Sequence, residues 1–417
     1  MHSVALDVHG KVWTFGCNDE GALGRPTASD TDEGTPRAVS LPGRCVRVTA
    51  GDSHTAALLD NGEVHAWGSF RDSHGSMGLV MVDRAGKSCR EPALISVTEP
   101  AADIASGGDH LVVLTISGGV YTMGCGEQGQ LGRLPQRSAT RDARQGFSAL
   151  LVPSKISIRG AARRVWAGYH ATFAQTEDRL LAWGLNNYGQ LGISGEKRRV
   201  ALYAPIEVDT APPVRWEEVA CGQHHSLLLD EHGQVYAAGR VEYGRLGLGS
   251  REGDAESIIA IPKLEDKKCI SIAAGTSSSF AVTDIGEVYA WGMGSEGQLG
   301  TGQCEDCTAP TAISLPSQER ERPPLAVSAG GQHSLLLLRS EEEPESTTRA
   351  GGKEAAVQKV TAKDKKAAKR QKVEVEAEVS SSSTVDVADL KPDGKQPSKV
   401  KRGNSVQSSS SSTRKRR

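Results

Sequence analysis

The stretch CGQHHSLLLDEHGQVYAAGRVEYGRLGLG, residues 221–249, decides the fold. It opens on a small residue, Gly222, two polar residues and His225, and then runs into the apolar segment Ser226-Leu-Leu-Leu229. A turn at Asp230-Glu-His-Gly233 leads to an alternating segment ending at Gly239, and the phrase closes on Gly244-Arg-Leu-Gly247. Alternating β-branched and aromatic residues between turn glycines predict antiparallel strands. A lone hairpin of this kind is marginal in water, so the stretch needs neighbours like itself.

Those neighbours are in the sequence. The small-Gly-x-x-His phrase recurs as AGDSHTAAL ending at Leu58, SGGDHLVVL at Leu114 and GGQHSLLLL at Leu338. Weaker copies end at Ala174 and Val282, with Ala171 and Ser278 in the His place, and the chain opens on another, Met1-His2-Ser3-Val4-Ala5-Leu6. A second strand follows the first six copies, ending at Gly16, Gly68, Gly124, Gly184, Gly239 and Gly292. G-x-L-G closes five of the units, as in Gly129-Gln-Leu-Gly132 and Gly297-Gln-Leu-Gly300. A period of about 50 to 60 residues, in seven copies that cannot bury their own sheets, predicts a ring of blades. The expected fold is therefore an all-β, seven-bladed β-propeller over residues 1–339.

Seven first phrases but six completions leave the seventh blade without its partner strands. Because Met1 falls inside a repeat phrase, the expectation is an N-terminally truncated gene model whose missing upstream segment would supply those strands; an unclosed ring has unpaired sheet edges.

Composition divides the chain at the same place. The 417 residues carry a formal net charge of −2, but residues 340–417 hold 18 basic against 12 acidic side chains, leaving the body at −8 and the tail at +6. Almost free of aromatics and rich in Ser, Lys, Glu and Ala, the tail is expected to be disordered. Its clusters, Lys365, Lys366, Lys369 and Arg370, then Lys399, Lys401 and Arg402, then Arg414, Lys415, Arg416 and Arg417, suit nuclear localisation, an import receptor and phosphate-backbone binding.

The eight cysteines stand singly except for Cys304 and Cys307, which have no second ligand pair nearby, so loop thiols are expected and no metal. No signal peptide or apolar run of membrane-spanning length is present, which predicts a reduced intracellular protein with no membrane partner. No catalytic constellation emerges. Gly86-Lys87-Ser88 resembles the end of a P-loop, but Met81 stands where its first Gly belongs. An enzyme making or breaking covalent bonds is not expected, nor is a bound cofactor.

Departures from the repeat mark the candidate functional residues. His2, His54, His110, His225 and His333 share one framework position and are expected to join blades. The two residues ahead of that position vary and are polar, so they should line one rim, with Asp52, Asp109 and His224 standing out. Elsewhere four residues separate the strand-closing Gly from the next phrase, whereas Gly68 is followed by SFRDSH before Gly75. The connection from Leu134 to Val165 is long and rich in arginine, which against an acidic body suits nucleic acid or histones.

GCNDEGALGR ending at Arg25, WGSFRD at Asp72, GCGEQGQLGR at Arg133 and YAWGMGSEGQLGTGQ at Gln303 resemble the regulator of chromosome condensation family, over nearly all of residues 1–339. The resemblance implies a nuclear, chromatin-bound guanine-nucleotide exchange factor for the small GTPase Ran. It implies that Asp52, Asp109 and His224 engage Ran. The segment Phe70, Arg71, Asp72, Ser73, His74, Gly75, Ser76 and Met77 is implied to be a β-wedge pressed against the GTPase near its nucleotide. Arg141 and Arg144 are implied to meet the histone acidic patch of the nucleosome, with further contact to DNA phosphates. Two alternatives are a chromatin adaptor without exchange, which needs no wedge, and a tryptophan-based light sensor. The sensor would need tryptophans in the rim slots, whereas Trp13, Trp67, Trp183 and Trp291 lie in second-strand phrases.

Overall fold

Each full copy of the repeat becomes one antiparallel sheet. In the copy that decided the fold, Trp216–Cys221 pairs with His225–Asp230, which pairs with Val235–Gly239, which pairs with Ala255–Ala260. The computed structural model describes residues 2–210, 214–316 and 322–339. Lys365, Lys366, Lys369, Arg370, Lys399, Lys401, Arg402 and Arg414 to Arg417 lie outside the described residues.

Five sheets have four strands, and a sixth, His2–Leu6, Val12–Gly16 and Arg37–Ala38, has three. The seventh copy forms only the hairpin Pro324–Ala329 and Ser334–Leu338. The β-propeller expectation holds, and the seven-bladed count is corrected to six blades plus this hairpin. Among the described residues no further strand pairs with Ser334–Leu338. First and last sheets nonetheless meet, with Ser3 Oγ 3.4 Å from His333 Nε2.

The repeated residues earn their place at the blade interfaces. His2 Nε2 lies 2.7 Å from Thr55 Oγ1, His110 Nε2 2.8 Å from Thr172 Oγ1 and His225 Nε2 2.9 Å from Ser279 Oγ. In each case the hydroxyl belongs to the next blade, one residue after its framework position, and Ser3 facing His333 continues the series. His54 meets Leu111 there and bonds Ser106 Oγ instead, at 3.0 Å. The next-blade hydroxyl in turn donates to the carbonyl inside G-x-L-G: Thr55 to Ala22, Thr172 to Gln130 and Ser279 to Arg245. Trp67, Trp183 and Trp291 donate their indole N–H to those same three carbonyls.

The last Gly of G-x-L-G follows from the same packing. Gly24, Gly132 and Gly247 have φ between +65° and +70°, and a Cβ on any of them would lie under 3 Å from the indole of the next blade's tryptophan. Only glycine combines that backbone with that approach. Trp13 differs, since its indole N–H goes to Asp7 Oδ2 in its own blade at 3.0 Å.

Core residues of adjacent sheets mix: Val112 and Leu114 share a cluster with Phe173, Trp183 and Leu228. Stability is therefore distributed over neighbour interfaces, as in repeat folds generally.

Candidate functional site

Strand direction fixes the rim. In each four-stranded blade the first strand runs into the Gly-x-x turn, and the third strand ends beside it, as His54 opposite Gly68 and His110 opposite Gly124 show. The variable residues and the segment after Gly68 therefore emerge at one end. A partial belt of backbone bonds runs round the channel there: Asp52 N–H donates to Gly108 C=O at 2.8 Å, Gly108 to Tyr169 at 3.1 Å, Gln223 to Thr276 and Thr276 to Gly330 at 3.2 Å. The channel inside it measures about 570 Å³.

On the second blade the extra residues form a separate hairpin, Phe70–Asp72 with Gly75–Gly78, turning at Ser73 and His74. Carboxylates from both sides hold it. Arg71 pairs with Glu20 at 2.7 Å, and its backbone N–H donates to Asp109 Oδ1 at 2.8 Å. Glu127 accepts from the Ser73 backbone N–H at 3.1 Å and from its hydroxyl at 2.5 Å. Glu20 also accepts from the Ser76 hydroxyl at 3.2 Å.

The two end residues of the span expected from sequence to be a wedge are buried. Phe70 is 0 % exposed and Met77 2 %, and both pack in the core with Leu79, Leu150 and Leu151. They root the hairpin and offer nothing to a partner. The exposed positions are Arg71, Ser73, His74 and Ser76, while Asp72 and Gly75 are half-buried.

The rim residues fall into two groups. Asp52 is exposed and hydrogen-bonds the Tyr169 side chain, and Asp109 lies half-buried beside it. Burial first, and the Asp52 carboxylate second, push the Asp109 carboxyl up to about 7, while the Arg71 N–H pulls the other way. On the opposite arc, the half-buried His224 meets the Tyr188 ring edge-on with centroids 5.0 Å apart, and the Arg240 guanidinium lies 4.8 Å from that ring. Burial, then Arg245 and Arg240, bring the His224 imidazole down to about 4, so it is neutral at pH 7.

The two long-loop arginines part company. Arg144 is exposed, whereas Arg141 is turned inward, its guanidinium bonded to both carboxylate oxygens of Asp72. Asp72, His74 and Glu127 bring potential metal-ligand atoms within 4.8 Å of one another. Arg141 occupies Asp72 and Ser73 occupies Glu127, so the group reads as an anchored turn.

Sequence reasoning missed Glu20, Glu127, Tyr188 and Arg240. The first three sit just ahead of, or within, the turn before G-x-L-G, and that turn lies on the same rim as the Gly-x-x residues. Scanning it for variation would have found them.

The RCC1-like domain family matches residues 1–336. The chain is 44% identical over 344 residues to the regulator of chromosome condensation of Xenopus laevis, covering 80% of this chain and 79% of that protein. It is 32% identical over 381 residues to the guanine nucleotide exchange factor SRM1 of Saccharomyces cerevisiae, covering 80% and 77%. Among solved structures, yeast RCC1 (Prp20) bound to Kap60 superposes with a TM-score of 0.75 at 30% identity, over 82% of this chain and 79% of that one. The crystal structure of Prp20p from Saccharomyces cerevisiae, described together with its binding properties to Gsp1p and histones, gives 0.74 at 28% identity, over 90% and 84%.

Proposed function

This chain belongs to the regulator of chromosome condensation family, and on that premise we propose that it is a guanine-nucleotide exchange factor for the small GTPase Ran, working on chromatin in the nucleus. The observation that carries the reading is the anchored hairpin: a departure from the repeat that builds its own two-stranded element lies on the rim that also holds Asp52, Asp109 and His224.

Exchange needs no bond-making group. A factor that binds the nucleotide-free GTPase more tightly than the loaded one must, by linkage, be bound less tightly when nucleotide is present, so each weakens the binding of the other by the same factor. Several kcal/mol of differential contact are needed, each ~1.4 kcal/mol being tenfold. In this reading Asp52, Asp109 and His224 grip Ran, and Arg71, Ser73, His74 and Ser76 press on its nucleotide site. A rigid rim held by blade interfaces supplies the pre-organised surface that such work requires.

The chromatin half of the proposal rests on the exposed Arg144, on the basic segments beyond residue 339 and on the histone binding named for Prp20p. Nucleosomal DNA phosphates and the histone acidic patch are the complementary surfaces. The same basic segments would engage a nuclear import receptor, as the complex of the yeast relative with Kap60 suggests. Release of fluorescent GDP from Ran, with the chain at a fraction of the Ran concentration, tests exchange. Multiple turnovers of release are expected; stoichiometric binding without release would leave a chromatin adaptor.

A further inference from the structure

The Arg141 side chain is 18 % exposed and the Asp72 side chain 1 %. Arg141 Nε donates to Asp72 Oδ2 at 2.6 Å and Nη2 to Oδ1, a bidentate fork. Nη2 also reaches the Gly75 carbonyl at 3.2 Å, across the hairpin turn. The guanidinium lies 5.4 Å from the Phe147 ring, at the start of the short helix Gly146–Leu151, whose Leu150 and Leu151 pack in the core with Phe70 and Met77. Arg141 thus ties the long loop, the core and the hairpin tip together.

We propose that Arg141 is a positioning residue that sets the direction of the 70–78 hairpin, and so acts in exchange rather than as a nucleosome contact. Neighbouring residues on a strand point to opposite sides. Arg71 accordingly pairs with Glu20 on one side and Asp72 with Arg141 on the other, so the hairpin is braced from both. The two braces are unequal. Arg71 is about half exposed, where an ion pair contributes little. The Asp72 side chain is buried, so removing its partner leaves a desolvated carboxylate within 4.8 Å of the Glu127 carboxylate. The contacts that remain, from the His74 backbone N–H at 2.8 Å and His74 Nδ1 at 3.8 Å, come from within the hairpin itself and so do not tie it to the rest of the molecule. A carboxylate in that position is satisfied by swinging to water, which takes the tip with it.

The inference rests on the exchange reading, and its test separates the two. Full-length Arg141→Ala, Arg141→Lys, Asp72→Asn and the double variant Asp72→Asn/Arg141→Gln are compared with the wild type by Ran nucleotide release and by amide hydrogen exchange. Arg141→Ala should lower kcat by about tenfold or more with KM changed less than about twofold, since docking through Asp52 and His224 is untouched. Arg141→Lys, which keeps the charge without the fork, should lie between. The double variant should be less impaired than the product of its two parts. Amide protection should drop in residues 70–78 and stay intact in the blades, which also verifies folding. Unchanged hairpin protection in Arg141→Ala overturns the proposal, as does full exchange accompanied by lost nucleosome binding. A wild type that releases no nucleotide removes the exchange reading, and hydrogen exchange then decides the clamp by itself.

Discussion

Asp109 and His110 are adjacent in the chain, as are His224 and His225, yet within each pair the two side chains belong to different parts of the molecule. His110 and His225 are fully buried and bond the next blade at 2.8 and 2.9 Å. Asp109 and His224 are half-buried on the rim, among a hairpin and an aromatic–cation group respectively. The interface uses one residue type in copy after copy because the interfaces share a shape, while the rim varies because a partner does not share the repeat of the ring. What repeats builds the ring, and what departs from the repeat is available for recognition.

The two regions should separate most widely with pH. Burial brings the His54, His110 and His225 imidazoles down to about 3, against an ordinary value near 6.5. The unfolded chain then binds more protons than the folded one below pH 6.5, so stability is present above that value and lost as pH falls. Asp109, raised to about 7, works in the opposite sense: its proton stabilises the fold at low pH and is lost as pH rises through 7. With His2 and His224, both lowered to about 4, adding in the same sense, the histidines outweigh the one carboxyl, and unfolding free energy should be lower at pH 5 than at pH 7 by on the order of 5 kcal/mol. Asp109→Asn should add stability relative to wild type at pH 8 but not at pH 4. Denaturant titrations at several pH values read both effects, and a flat profile would mean the interface histidines are not held neutral.

Breaking a single interface bond is the next largest change. His110→Ala removes a buried bond to Thr172 and opens a cavity, and should cost about 2 kcal/mol by urea denaturation. Nucleotide release by the folded fraction should be unaltered.

One of the two copies without a framework histidine offers a smaller gain. Ala171 stands in the His place, and Ser226, the hydroxyl it would meet, is buried beside the Cys221 thiol. Gly168, whose counterparts Gly107 and Gly222 face an imidazole, faces Cys221 Cβ instead. Cys221 therefore fills the space of the absent ring. Ala171→His together with Cys221→Ala should raise stability by about 1 kcal/mol, and Ala171→His alone should lower it by overpacking. Additive single effects in a thermal melt would contradict that account.

Smallest is Arg144→Ala, at an exposed position, with an expected stability change within about 0.5 kcal/mol and no effect on exchange. Its effect should show in nucleosome binding at fixed salt, because phosphate contacts are steeply salt-dependent.

Much of this was legible in the sequence because repeats average out accident. The Gly-x-x-His phrase predicted the strands and the blade-joining role of His54, His110 and His225, and the odd length after Gly68 singled out the hairpin. Two features were not legible, for different reasons. Arg141 and Asp72 are 69 residues apart, and nothing local to either announces the pair. The burial of Phe70 and Met77 was in principle visible, since the two apolar residues bracket the polar Arg71–Ser76 segment and a protruding hairpin needs an apolar root.

The central claim is that the ring and the rim are separable, and one assay addresses it: release of fluorescent GDP from Ran by wild type, by the tip variant Ser73→Gly/His74→Ala and by His110→Ala, at a temperature where all are folded. The tip variant should release nucleotide at least about tenfold more slowly than wild type at unchanged melting temperature, and His110→Ala should release at the wild-type rate despite its lower stability. A tip variant that exchanges as fast as wild type, or a folded His110→Ala protein that does not exchange, would contradict the account.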